Sequence, residues 1–275
     1  MGTLYVVGAP AGNPDDLSLR AIRILGEVDL IAAEDLDQAQ RLLAHHGVAT
    51  PLVSGQPAEV AGILEALERG DAALLTAGLS PGPSEASARI VAVAIERGFP
   101  VAPVPGPVLP ITALVVSGLP ADSFVYLGEL PEQPLARRSL LASVGGERCT
   151  LILRDSPQRL PDTLAELRVS LGGRPLAVVE ASGEPGRPIW RGTLGEADGL
   201  LLGRLAGGPV ALIVGGAREE TAPWDEGRLA DEIRDGLGRG LRASEISRQL
   251  AAESGWPRRE IYRRAVQMAQ FPSEP

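Results

Sequence analysis

The sequence predicts an α/β protein of two α/β domains followed by a small helical module. Three observations carry this. Short apolar runs alternate with amphipathic stretches through about the first 120 residues, the pattern of a mostly parallel sheet. A second set of apolar runs begins beyond Ser117-Gly118-Leu119-Pro120. From about Glu226 to Phe271 the pattern is helical. The expected divisions are therefore 1–118, 119–220 and 225–275, with Ala217–Pro223 as a linker.

Taken in order, Leu4–Val7 reads as a buried strand entering the turn Gly8-Ala9-Pro10-Ala11-Gly12-Asn13-Pro14. A helix follows over about Leu17–Gly26, with Leu17, Ala21, Ile24 and Leu25 on one face. Val28–Ala33 is the next strand and ends in the acidic pair Glu34-Asp35. Gln38–His46 and Glu59–Arg69 read as helices, Ala72–Thr76 as a strand, and Ser84–Arg97 as a helix stopped by Gly98. Val101–Val104 leads through Pro105-Gly106-Pro107 into a helix ending near Ser117. Further strands are expected at Phe124–Leu127, Thr150–Leu153, Leu176–Val179, Ile189–Arg191 and Val210–Val214. Helices are expected at about Gln158–Leu171 and Gly195–Leu205. The Gly- and Pro-rich run Glu180–Trp190 looks like a hairpin, so this second sheet should be mixed. In the tail, Ser244–Glu253, the turn Ser254-Gly255-Trp256 and a helix begun by Pro257 resemble a helix-turn-helix unit.

Composition excludes several chemistries. Apolar residues are 44% of 275 and aromatics only 3%, so the core must be Leu, Val, Ala and Ile. No apolar run approaches the roughly 18 residues of a membrane span. The chain opens straight into a strand without a basic stretch, so no signal peptide and a cytoplasmic location are expected. Lysine is absent and all 26 basic residues are arginine, which removes Schiff-base chemistry and a Walker-type phosphate loop. Two adjacent histidines, His45 and His46, and one cysteine, Cys149, spell no zinc site of standard spacing, and no metal is expected. The net charge of −9 is uneven: residues 237–270 hold seven Arg against three acids, residues 1–236 nineteen against thirty-one. Only the tail could serve as a basic patch for nucleic acid.

The loop after Ala72–Thr76 offers competing readings. Gly78-Leu79-Ser80-Pro81-Gly82 matches the G-x-S-x-G of a hydrolase elbow between a strand and a helix. Yet the residue after the nucleophile must donate its N–H to the oxyanion, and Pro81 has none. Both histidines also precede Ser80, the wrong order for that fold. A dinucleotide site would need G-x-G-x-x-G, whereas Gly8–Gly12 spells G-x-x-x-G.

Several blocks together give a third reading. They are Leu4–Asn13, Asp16–Ala21, Val28–Asp35, Pro105-Gly106-Pro107, Ser117–Pro120, Gly128-Glu129-Leu130-Pro131, Asp155–Leu160 and Arg191–Leu194. In this order they resemble the tetrapyrrole-methylase superfamily, and within it the small-subunit ribosomal RNA cytidine 2′-O-ribose methyltransferases. The resemblance implies two α/β domains with a cleft between them that holds S-adenosylmethionine. It implies cofactor binding by Pro10, Gly12, Gly78, Ser80, Pro81, Gly82, Pro105, Gly106 and Thr112. Glu34 and Asp35 would act as base or cofactor anchor; on their own they read equally as a helix-capping pair. Ribosomal RNA or the small ribosomal subunit would be the partner, met by Arg258, Arg259, Arg263 and Arg264, and the chain would pair as a homodimer. Four polar clusters depart from the family's pattern: Ala77 with Glu85-Ala86-Ser87, Leu36-Asp37, Gly55–Ala58 and Ala181–Glu184. A changed substrate, such as a tetrapyrrole or small metabolite, or a non-catalytic binding relative, are the alternatives these departures leave open.

Overall fold

A computed structural model describes residues 2–56, 59–77, 84–181, 189–197, 205, 207–217 and 224–270, the side chains of 252 and 253 aside. Two compact units emerge, Met1–Ala217 and Arg218–Pro275.

The first unit holds two five-stranded sheets. One consists of β1 (Leu4–Gly8), β2 (Leu30–Ala33), β3 (Leu52–Ser54), β4 (Ala72–Thr76) and β5 (Val101–Val104), in the order β3-β2-β4-β1-β5. Every pairing in it is parallel. Alternate residues along each strand face opposite sides. Val7, Ile31, Ala73 and Leu75 meet α1 (Leu19–Glu27) and α2 (Leu36–His45) through Ile24, Leu25, Leu42 and Leu43. Leu4, Ala32, Ala72 and Leu74 meet α3 (Val60–Arg69) and α4 (Glu85–Glu96) through Ile63, Leu67 and Ile90. Helices on both faces explain why these strands read as continuous apolar runs.

The connection after β1 runs by α1 to β2 on one side, and that after β4 runs by α4 to β5 on the other. Neighbouring strands β1 and β4 thus send their chains in opposite directions, which makes a topological switch point between them. Ligands of open α/β sheets bind in the crevice beyond the strand C-termini at such a point.

The second sheet comprises β6 (Phe124–Gly128), β7 (Thr150–Asp155), β8 (Pro175–Glu180), β9 (Trp190–Thr193) and β10 (Val210–Val214), ordered β6-β7-β10-β8-β9. Only β6 and β7 pair parallel, and the rest are antiparallel, so the sheet is mixed. Its outer face carries Leu151, Leu153, Leu176, Val178 and Leu212, packed with Leu141 of α6 (Pro134–Ser143) and Leu160, Leu164 and Leu167 of α7 (Leu160–Leu171). Its inner face carries Ile152, Ala177, Val179, Ala211 and Ile213, covered by Leu109, Ala113 and Leu114 of α5 (Leu109–Ser117). Gly118 closes α5 at φ +79°, a left-handed turn that favours glycine.

The second unit is a three-helix cluster: α8 (Glu226–Gly238), α9 (Ala243–Glu253) and α10 (Arg258–Gln270). Leu229, Ile233, Ile246, Leu250, Ile261 and Ala265 form its core. The Trp256 indole N–H donates to the Trp224 carbonyl at 2.6 Å and ties the turn before α10 to the segment before α8. Among the described residues no helix is long and apolar enough to cross a membrane.

Three elements differ from the sequence reading. β3 and α6 were not expected, and the tail's helix is interrupted at Arg239–Arg242, where Gly240 takes φ +79°. The linker Ala217–Pro223 lies almost wholly outside the described residues, as do most of the expected hairpin bend and of the helix at Gly195–Leu205; residues 194–196 form a turn.

Candidate functional site

The crevice at the C-terminal edge of the parallel sheet gathers the turn after β1, the residues flanking the loop after β4, the turn after β5, and Glu34 after β2. Its floor is main chain against main chain. The Ala9 N–H donates to the Thr76 carbonyl at 2.8 Å, and the Thr76 hydroxyl donates to the Val7 carbonyl at 3.3 Å. A Cβ on Gly106 would lie 2.0 Å from the Gly8 carbonyl oxygen, so the turn after β5 approaches the end of β1 closely only because Gly106 has no side chain. Pro105 lies exposed beside it; Pro10 is buried and Gly12 exposed in the turn after β1. Thr112 lies on the exposed side of α5, opposite the side buried on the second sheet. Gly78, Ser80, Pro81 and Gly82 lie outside the described residues.

The turn after β1 is held from behind. The His46 Nε2 lies 2.9 Å from the Pro14 carbonyl. A carbonyl can only accept, so His46 donates from Nε2. His45 Nε2 lies 2.8 Å from an Asp15 carboxylate oxygen. The adjacent histidines thus clamp the 3₁₀ turn Pro14–Asp16 to the end of α2.

Glu34 and Asp35 are brought to the crevice edge, but their bonds are those of helix caps. One Glu34 oxygen accepts the Ser84 N–H at 3.0 Å and the Ser87 hydroxyl at 2.6 Å, tying the end of β2 to the start of α4. Ser84 itself caps α4, accepting the Ser87 N–H. Burial pushes the Glu34 carboxyl up, but hydrogen bonds from Ser84, Ser87 and the Ala77 main chain outweigh it and hold the pKa below its ordinary value. A carboxylate so stabilised is a weaker base. Asp35 is the N-cap of α2 and accepts the Gln38 N–H at 2.9 Å. Sequence reasoning could not choose between base and cap, because the partners of Glu34 lie 50 and 53 residues away.

Ala11 of the same turn packs against the cluster formed by α5 and the inner face of the second sheet, as do Tyr126 and Ala181. On that sheet the sequence reading missed an ion pair, Arg154 Nη2 to Glu129 Oε1 at 2.9 Å. Only strand alternation and the parallel pairing of β6 with β7 bring these two together.

On the helical unit, the four arginines expected to meet RNA do not stand alike. Arg264 lies 4.5 Å over the Trp256 ring and pairs with Glu226 at 2.9 Å, so it is a structural side chain. Arg263 pairs with Glu260 at 3.3 Å. Arg258 and Arg259 have no ion pair among the described residues, and Arg259, Tyr262, Arg263 and Val266 line an open cavity of about 600 Å³ along one side of α10.

Relatives agree with this architecture. A ribosomal RNA small subunit methyltransferase I from Synechocystis sp. is 37% identical over 98% of this chain and 99% of its own. One from Halalkalibacterium halodurans is 37% identical over 95% of this chain and 93% of its own. Among solved structures, a uroporphyrin-III-C-methyltransferase from Thermus thermophilus matches with a TM-score of 0.56 at 26% identity, covering 78% of this chain and 94% of its own. A cobalt precorrin-4 methyltransferase shares the fold, with a TM-score of 0.59 at 18% identity over 78% of this chain and 94% of that one. The tetrapyrrole (corrin/porphyrin) methylase pattern itself matches residues 3–198, across the switch-point crevice and most of the second sheet, and the chain belongs to that family.

Proposed function

We propose that this chain transfers a methyl group from S-adenosylmethionine to a ribose 2′-hydroxyl of small-subunit ribosomal RNA. The observation that carries the reading is its nearly end-to-end likeness to relatives that bear a ribosomal RNA methyltransferase name.

The donor set of the crevice fits such a cofactor. Its described strand-end turns, residues 8–13, 55–56, 77 and 105–108, carry no cationic side chain, and the Glu34 carboxylate stands at the crevice edge, bonded to Ser84 and Ser87. A polyphosphate would find no counter-charge on those turns, whereas a sulfonium nucleoside would find an anion. Pro10, Gly12, Pro105 and Gly106 would hold the nucleoside through main-chain contacts, with Thr112 at the start of α5; Gly78, Ser80, Pro81 and Gly82 belong to the same proposed cofactor-binding set. Once bound, the cofactor supplies a methyl carbon that an oxygen nucleophile can displace from sulfur. This chain's own residues would orient the hydroxyl and keep water out, effects that lower the barrier chiefly through positioning. In this reading Glu34 and Asp35 are positioning residues: Glu34 holds the start of α4, and Asp35 starts α2. Arg258, Arg259 and Arg263 would meet RNA phosphates, with Arg264 holding their helix in place. A homodimer belongs to the same proposal, and light scattering on the purified chain would measure it.

The test is transfer of labelled methyl from S-adenosylmethionine to small ribosomal subunits taken from cells lacking ribose methylation. Label is expected in the RNA as an alkali-stable 2′-O-methylnucleotide. Label in a base would move the reaction off the ribose. No transfer, with no cofactor binding by calorimetry at millimolar concentration, would overturn the proposal.

A further inference from the structure

We infer that Arg154 is an oxyanion-binding residue of the crevice, contributed by the second sheet; the inference rests on the methyltransferase reading above. Along β7, Leu151 and Leu153 point to the outer cluster and Ile152 to the inner one, so strand alternation sets Arg154 on the inner face. Its cross-strand neighbour is Ala211, and beyond that lies Val179. Ala11, between Pro10 and Gly12 in the turn after β1, packs against the cluster formed by this face and α5, as do Tyr126 and Ala181. Arg154 therefore shares its face with the cluster that the turn after β1 touches.

A cation on this largely apolar face needs a reason. The Arg154 side chain is 26% exposed, Nη2 is paired with Glu129, and Nε is buried without a hydrogen-bond partner. Native proteins rarely leave a buried donor unpaired, and a missing ligand is one reason for it. The other arginines near the sheet are consumed locally. Arg191 donates to the Val116 and Ser117 carbonyls that end α5. Arg159 donates to the Leu130 carbonyl at 2.9 Å and lies 3.8 Å from Asp155. Among the described residues Arg154 has Glu129 alone. Glu129 fixes one edge of the guanidinium and leaves the remaining N–H groups for a second oxyanion, the planar fork suiting a carboxylate or phosphate. Since the strand-end turns bear no cation, Arg154 supplies the counter-charge they lack. The oxyanion has two possible sources: the methionine carboxylate of the cofactor, or a phosphate beside the target ribose.

Calorimetry on the full chain separates these sources. Wild-type protein and the Arg154→Gln and Arg154→Lys variants would be titrated with S-adenosylhomocysteine, with 5′-methylthioadenosine, which lacks the carboxylate, and with an oligonucleotide of small-subunit ribosomal RNA. A charge-assisted pair removed by Gln should weaken its ligand by about ten- to a hundredfold. Weaker S-adenosylhomocysteine binding with unchanged methylthioadenosine binding assigns the carboxylate. Weaker RNA binding with a shallower salt dependence assigns the phosphate. The Lys variant, which keeps the charge but loses the fork, should fall between and provides the reading if the Gln variant does not fold. Binding of all three ligands within twofold of wild type in the folded variants would overturn the inference. Failure of the wild type itself to bind would instead count against the methyltransferase reading.

Discussion

The two sheets of the first unit handle polar groups in opposite ways. The parallel sheet has helices on both faces and no charged residue on any of its five strands, so its polar chemistry gathers at one edge where main chain is exposed. The mixed sheet carries charge on its own strands: Arg154, the buried Asp155 and Arg191 all project from it. The parallel half therefore offers backbone and, at its edge, the Glu34 carboxylate to a ligand, and the mixed half offers a cation, Arg154.

Two glycines give the strongest way to break that contrast. In the parallel half, a Cβ on Gly106 would reach to 2.0 Å from the Gly8 carbonyl oxygen; in the mixed half, one on Gly216 would reach to 1.7 Å from the Arg148 carbonyl oxygen. Both collisions are with backbone, so both Ala variants should lose about 3 kcal/mol or more in denaturant unfolding. Only Gly106→Ala should also abolish cofactor binding in the protein that remains folded, because only Gly106 floors the crevice. Equal loss of cofactor affinity in Gly216→Ala would mean that the division between the halves is wrong.

The crevice was legible in sequence to the degree that it is made of backbone. Gly8, Pro105-Gly106 and the alternation of strands with helices are local signals, and they located the edge of the sheet. β3 went unseen because Leu52-Val53-Ser54 is three half-buried residues at a sheet edge, too short for any period to register. α6 went unseen because it buries only Leu141 and leaves Leu135 82% exposed, so its apolar residues mark no stripe. The charged half was illegible for another reason. Arg154 meets Glu129 across a strand pairing whose register shifts at a bulge between Tyr126 and Gly128, and a bulge changes which residues become neighbours.

A smaller effect sharpens how the edge is held. Glu34→Gln keeps the shape but removes the charge that accepts from Ser84 and Ser87, and should cost about 1–2 kcal/mol of stability near neutral pH. The sign of its pH dependence follows from the lowered pKa of Glu34 in the folded chain. Its stabilisation is present above the unfolded carboxylate pKa and is lost as pH falls through the folded value. Wild type and Glu34→Gln should thus converge in stability on acidification and separate again toward neutrality. Parallel curves through the acid range would show that the charge on Glu34 does not hold the start of α4.

The least perturbing change tests the neighbour in the same acidic pair. Asp35→Ala removes one N-cap bond, to Gln38, at an exposed helix start, and should cost about 1 kcal/mol. Its outcome matters more for binding than for stability. Glu34 reaches across the sheet to α4, whereas Asp35 serves only the helix that follows it. If both are positioning residues, cofactor affinity should fall in Glu34→Gln, and Asp35→Ala should bind and turn over within about twofold of wild type once its stability loss is allowed for. A large loss of kcat in Asp35→Ala with KM unchanged would return Asp35 to the reacting atoms, and the edge of the parallel sheet would then take part in the chemistry as well as shape the site.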